Sequence, residues 1–209
     1  MHVEKIRRHE KKADRFAVIF DDGAEIKVSA AQIADFGLYS GREISEEEYK
    51  ELNNAIELNA AKTSALRTLG SRSISTRDIE RRLVSKGSSV NTAQQTVEWL
   101  EQVGIVNDEE LAASIVKHYT KKGYGPAKIK DELYRRGIPR EMIDDAMNSL
   151  DGKNEAAVEY IEKKLMGSID KDELQSVTKA LYRRGFSYET ARDAVRQYLE
   201  LIDETETPE

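Results

Sequence analysis

Apolar residues recur with helical spacing along most of this chain, and one pattern appears three times. In each copy, two apolar residues four positions apart are followed by a basic residue and a glycine, after which a second apolar series begins. The paired apolar residues are Ile79 and Leu83, Ile129 and Leu133, and Val177 and Leu181, and the glycines are Gly87, Gly137 and Gly185. Equivalent positions at nearly constant intervals predict a helical repeat in which the paired apolar residues form the core and the glycines end helices.

Capping signals divide each repeat into three helices. Ser45-Glu46-Glu47-Glu48 is a capping-box sequence and predicts a long helix that begins there and continues toward Leu69. Ser75 and Asn91 are the predicted N-caps of the two helices that follow. We therefore predict a mainly α fold in which three tandem three-helix repeats form an elongated, curved array.

The N-terminal residues have a different period. Phe16, Val18 and Phe20 alternate with Ala17 and Ile19 and are followed by a turn at Gly23, which predicts a β-hairpin. Val3–Arg8 is a candidate third strand. The predicted segments are a β-rich extension at 1–44, repeats at 45–103, 104–152 and 153–203, and an acidic tail at 204–209.

Composition narrows the function classes. The 209 residues include no cysteine and no apolar run near the roughly 20 residues of a membrane helix, so we expect a cytoplasmic protein without disulfides. Three scattered histidines give no metal-ligand spacing and no nucleophile motif is present, which indicates a non-enzyme with no cofactor. The net charge of −6 argues against attraction of nucleic acid by the whole surface, but residues 117–136 form a basic stretch.

Pairs of arginines recur in the repeats, and they allow two interpretations of equal weight. The pairs are Arg81-Arg82, Arg135-Arg136 and Arg183-Arg184. Lysine and arginine near a helix C-terminus stabilise the helix dipole, which is a purely structural role. Arginine also binds phosphate groups or acidic protein surfaces through its planar fork. Tyr134 and Tyr182 lie among these basic residues at equivalent repeat positions, and this equivalence favours packing over stacking on nucleobases.

Two segments carry a family resemblance: Gly104-Ile105-Val106-Asn107-Asp108-Glu109-Glu110-Leu111-Ala112, and the run from Gly123-Tyr124-Gly125-Pro126 to Arg135-Arg136-Gly137-Ile138. With Arg72-Ser73-Ile74-Ser75, they make the chain resemble RecX, the bacterial regulator of the RecA recombinase. The resemblance implies a monomer that binds RecA and the groove of RecA filaments on single-stranded DNA, touches DNA weakly, and inhibits recombinase, ATPase and co-protease activities. The alternative is an independent nucleic-acid-binding helical repeat protein that reads no sequence.

The basic residues of the repeats form the candidate surface for RecA, its filament or DNA. They are Arg72, Arg81, Arg82, Lys117, Lys121, Lys122, Lys128, Lys130, Arg135, Arg136, Arg183 and Arg184.

Overall fold

The computed structural model describes residues 1–9, 14–70, 74–148 and 153–206. Contacts within the chain define two units. The first consists of Met1–Arg72 and Ile79–Val103, and the second consists of Ser73–Asp78 and Gly104–Glu209.

A three-stranded antiparallel sheet forms the N-terminal part of the first unit. Its strands are β1 (Val3–Arg8), β2 (Arg15–Phe20) and β3 (Glu25–Ser29), in the order β1-β2-β3. The predicted hairpin and the candidate third strand are thus confirmed. One face of the sheet buries an apolar cluster that includes Phe20 and reaches Leu52 of the long helix that follows.

Four helices belong wholly or partly to the first unit: α1 (Ala30–Asp35), α2 (Glu46–Leu69), α3 (Thr76–Ser85) and α4 (Val90–Gln102). The capping box at the start of α2 is confirmed, because Ser45 accepts a hydrogen bond from the Glu48 N–H and the Glu48 side chain accepts one from the Ser45 N–H. The prediction of Asn91 as the cap of α4 is wrong. Ser89 caps this helix by accepting a hydrogen bond from the Thr92 N–H, so Asn91 lies within its first turn.

Six helices follow in the second unit: α5 (Asp108–Lys121), α6 (Pro126–Arg135), α7 (Arg140–Asn148), α8 (Lys153–Leu165), α9 (Lys171–Arg183) and α10 (Tyr188–Glu206). Helices α5 to α7 surround a core that contains Ile129 and Leu133, and helices α8 to α10 surround one that contains Val177 and Leu181. All six paired apolar residues of the repeat pattern are buried, as predicted.

The three repeat glycines end their helices as predicted. Gly87, Gly137 and Gly185 have φ values of +98°, +77° and +92°, in the left-handed region that glycine adopts without the steric cost of a Cβ. The mainly helical class with a small N-terminal sheet is confirmed, whereas the five segment boundaries and the elongated shape stay predictions. None of the helices in the described residues is long and apolar enough to cross a membrane.

Candidate partner-binding surface

Three lysines at the end of α5 are available to a partner. Asn107 caps the start of this helix by accepting hydrogen bonds from the N–H groups of Glu109 and Glu110, and acids fill its first turn. Lys117 and Lys121 lie four residues apart on one exposed face, and the exposed Lys122 forms the C-cap. None of these lysines forms a side-chain hydrogen bond or ion pair with another described residue.

Lys130 lies on α6, and its ammonium group is already engaged. Its Nζ donates a hydrogen bond to the Asp144 carboxylate at 2.9 Å, and this bond raises the pKa of Lys130 and lowers that of Asp144. Lys128, on the same helix, is exposed and forms no ion pair with any residue that the structure describes, but its backbone packs close to Gly185. A partner would therefore find Lys128 free and would compete with Asp144 for Lys130.

Arg135 and Arg136 share one buried carboxylate. Glu132 is only 5% exposed and accepts hydrogen bonds from both guanidinium groups, with Arg136 Nε at 2.8 Å from Glu132 Oε1. Burial alone would raise the pKa of Glu132, but the two hydrogen bonds outweigh it and lower the pKa. This arrangement supports the structural interpretation of the pair, since part of each arginine's hydrogen-bonding capacity is used within its own helix.

Arg184 connects the end of α9 to the end of α5 and to helix α8, and we call this contact region the joint. Its Nη1 donates hydrogen bonds to the carbonyls of Lys122 (2.9 Å) and Gly123 (3.1 Å), and its guanidinium carbon lies 4.8 Å and 4.4 Å from the ring centroids of Tyr124 and Tyr160. The planar cation thus bridges the end of α5 and helix α8. Since stacking and forked hydrogen bonding occur together, Arg184 has a packing role.

Backbone hydrogen bonds from the start of α6 also contribute to the joint. The Gly125 N–H donates to the Arg184 carbonyl at 2.9 Å, and the Ala127 N–H donates to the Gly185 carbonyl at 3.1 Å. A Cβ on Gly125 would lie 2.4 Å from the carbonyl carbon of Gly185, so only glycine allows this approach. Sequence reasoning missed this role of Gly125. The available signal was a glycine at a helix N-cap, where a side chain that caps the helix would be expected.

The remaining candidates lie in different surroundings. Arg81 and Arg82 are exposed on the part of α3 that belongs to the first unit, and Arg81 has an interaction with another residue. Arg183 borders a shallow groove of about 470 Å³ at the corner between α9 and α10, together with Tyr182 and Tyr188. Arg72 lies outside the described residues.

Neither Tyr134 nor Tyr182 is buried, and the preference for packing over stacking on nucleobases stays a prediction for both. Their exposed fractions are 47% and 66%. By contrast, Tyr119 and Tyr124 lie partly buried against the α5–α7 core, with their ring centroids 5.3 Å apart. Tyr134 and Tyr182 therefore share an exposed position directly after the buried Leu133 and Leu181.

These features define a class of mainly helical protein in which groups of three helices follow a small antiparallel sheet. Some of its basic surface residues are free to contact a partner, and others form contacts within the chain. A family model described as "RecX, second three-helix domain" matches residues 107–147, which span α5 to α7.

Sequence relatives agree with this match. Regulatory protein RecX of Xanthomonas oryzae pv. oryzae is 33% identical over 123 residues, which cover 57% of this chain and 76% of that protein. Regulatory protein RecX of Clostridioides difficile is 28% identical over 203 residues, which cover 94% of this chain and 95% of that protein. The chain belongs to the RecX family.

Solved structures show the same fold. A crystal structure of regulatory protein RecX superposes with a TM-score of 0.70 at 22% identity, covering 91% of this chain and 97% of the other. A crystal structure of RecX from Lactobacillus salivarius superposes with a TM-score of 0.62 and covers 69% of this chain.

Proposed function

We propose that this chain is a non-enzymatic cytoplasmic regulator of RecA. It binds RecA and the helical groove of RecA filaments on single-stranded DNA as a monomer, and it inhibits the recombinase, ATPase and co-protease activities of RecA without a cofactor of its own. The family membership supports this proposal, since the relatives that cover nearly the whole chain are regulatory proteins RecX.

One structural observation supports the location of the contact. Lys117, Lys121 and Lys122 are exposed cations whose side chains form no hydrogen bond or ion pair within the described part of the chain, and they lie within the segment matched by the family model. Free cations in this position contribute to the stability of the fold only through a small interaction with the helix dipole. They are suited to an anionic partner surface, where opposite charges accelerate association and orient the complex.

The direct test is RecA ATP hydrolysis on single-stranded DNA during titration with this protein. Inhibition well below one protein per RecA indicates a block of filament growth, whereas inhibition only near equivalence indicates coating of the groove. Absence of inhibition together with absence of RecA binding in a pull-down would contradict the proposal.

A pair of matched variants tests the surface. Lys121→Glu combined with Lys122→Glu should raise the inhibitory concentration about tenfold, which corresponds to about 1.4 kcal/mol of binding free energy. The control combines Lys164→Glu with Lys171→Glu, two exposed lysines of the α8–α10 group that also lack a charge partner among the described residues. Equal inhibition by both variants would remove the α5 lysines from the proposal.

The alternative function, independent binding of nucleic acid, makes a different prediction. A protein that inhibits only by occupying DNA would lose its effect when single-stranded DNA is added in excess at constant RecA. Direct binding to the filament predicts inhibition that depends on the ratio of this protein to RecA.

A further inference from the structure

The sheet of the first unit has a second face that points away from its apolar core. In the strand register, Lys5 pairs with Ile19 and Arg7 pairs with Ala17 across β1 and β2. On the other side of β2, Ala17 pairs with Lys27. Directly paired residues share a face and neighbours along a strand alternate, so these residues lie opposite the buried Val18 and Phe20.

Long cationic side chains lie along both edges of this face, whereas the side chains at its centre are shorter. Lys5 and Arg7 on β1 and Lys27 on β3 are exposed, and the two edge strands lie about 10 Å apart because each spacing between strands is about 4.8 Å. The central strand contributes Ala17 and Ile19 to the floor, and Arg15 lies at its end. We name this surface the outer sheet face: Lys5, Arg7, Arg15 and Lys27 around Ala17 and Ile19.

The outer sheet face is positive although the whole chain is acidic. Among the described residues that pair across the strands, four cations and one acid, Glu25, lie on this face, a net charge of +3. The Glu25 carboxylate lies 3.5 Å from Arg7 Nη2, and the exposed Glu4 lies beside Lys5 at an irregularity in the pairing of β1 with β2. Such a separation of charge favours contact between this face and an anion.

We infer that the outer sheet face binds the phosphate backbone of duplex DNA without reading its sequence. A protein partner fits less well, because protein interfaces centre on buried aromatic or large apolar anchors, and the described part of this face contains no aromatic residue. Single-stranded DNA fits less well because its non-specific binders stack bases on aromatic side chains. Duplex DNA has the higher charge density, which favours a surface that contacts phosphates alone.

The number of cations sets the expected strength. Three to four phosphate contacts predict that log K falls with log salt with a slope of about −3, and that affinity is in the range of non-specific binding, with a Kd of about 10⁻⁴ M or slightly tighter. This contact does not depend on RecA, so it adds a second binding surface to the proposed regulator and stands or falls separately from it.

The test measures fluorescence anisotropy of a labelled duplex of about 30 base pairs with the full chain over a range of salt concentrations. Lys5→Gln combined with Lys27→Gln should reduce the magnitude of the slope by about 2 and weaken binding at low salt. The control combines Arg8→Gln with Lys50→Gln. It removes the same charge, but Arg8 pairs with Phe16 on the opposite face and Lys50 is exposed on α2. Thermal unfolding of both variants should match the parent chain, because exposed charges add little to stability.

Three outcomes would overturn the inference: an unchanged slope in the Lys5 and Lys27 variant, an equal loss in the control, or binding of the single strand at least as tight as that of the duplex. Displacement of the duplex by poly-glutamate at equal charge concentration would also count against it, since it would indicate a site for acidic proteins. Inhibition of RecA by the Lys5 and Lys27 variant is expected to persist, which separates this result from a failure of the proposed function.

Discussion

Replacement of Gly125 by alanine tests the joint between α6 and the end of α9 most directly. Gly125 has φ −84° and ψ 170°, an extended conformation that alanine adopts freely. The substitution therefore carries no torsional cost, and without a steric conflict it would stabilise the chain by about 0.4–1 kcal/mol through the entropy of the unfolded state.

The steric conflict reverses this expectation. The added Cβ would lie 2.4 Å from both Gly185 C and Phe186 N, and these are backbone atoms that cannot rotate away. Overpacking costs about 1–3 kcal/mol. If the two segments separate, the backbone hydrogen bonds from Gly125 and Ala127 are lost as well, at about 1 kcal/mol each. We expect a total destabilisation of about 3–5 kcal/mol, a large part of the 5–15 kcal/mol typical of a folded protein.

Urea unfolding combined with amide hydrogen exchange measures both parts of this prediction. The Ala127 amide should lose protection in Gly125→Ala. Gly70→Ala serves as the control, because Gly70 has φ −57° and its added Cβ would lie 3.8 Å from the nearest atoms, so this variant should match or slightly exceed the parent. If Gly125→Ala is as stable as Gly70→Ala and keeps the Ala127 amide protected, the joint does not depend on this close approach.

Two further predictions concern named side chains, and a third concerns residues 1–40. Glu132→Gln should destabilise the protein by about 1.5–3 kcal/mol at pH 7 by weakening the charged hydrogen bonds. Because the folded pKa of Glu132 lies below the ordinary value of 4.5, this stabilisation is present above pH 4.5 and is lost as the pH falls through the lower folded pKa, so urea midpoints of the variant and parent should converge in acid. Arg184→Lys should cost about 1–2 kcal/mol in urea unfolding by removing the stack with Tyr124 and Tyr160, whereas Arg183→Lys should change stability by less than about 0.5 kcal/mol. An equal effect of the two arginine substitutions would contradict the role of Arg184. Deletion of residues 1–40 should leave RecA inhibition largely intact if the α5 lysines carry it, and complete loss of inhibition from a folded deletion variant would contradict that.

Periodicity and capping chemistry are local properties, and they were sufficient to predict the hairpin, the helices and the repeat core. The cap of α4 was wrong by two residues because Ser89 and Asn91 are both good caps, and the choice between them depends on packing. The difference between Arg183 and Arg184 was not predictable. Adjacent residues on a helix point about 100° apart, and the partners that distinguish them, Tyr124 and Tyr160, are distant in the sequence.

In the second unit, the repeat motif distinguishes residues that connect helices from residues that contact a partner. The residue before each helix-ending glycine has a carbonyl near the end of its helix, where intrahelical donors run out. In one case the Arg136 carbonyl accepts a hydrogen bond from the Ser75 hydroxyl, and in the equivalent case the Arg184 carbonyl accepts one from the Gly125 N–H. At the start of α9, the Asp170 side chain caps the helix by accepting hydrogen bonds from the N–H groups of Asp172 and Glu173. The repeated positions thus determine how helices contact one another, so we expect residues that contact a partner at positions that do not repeat. The α5 lysines lie at such positions.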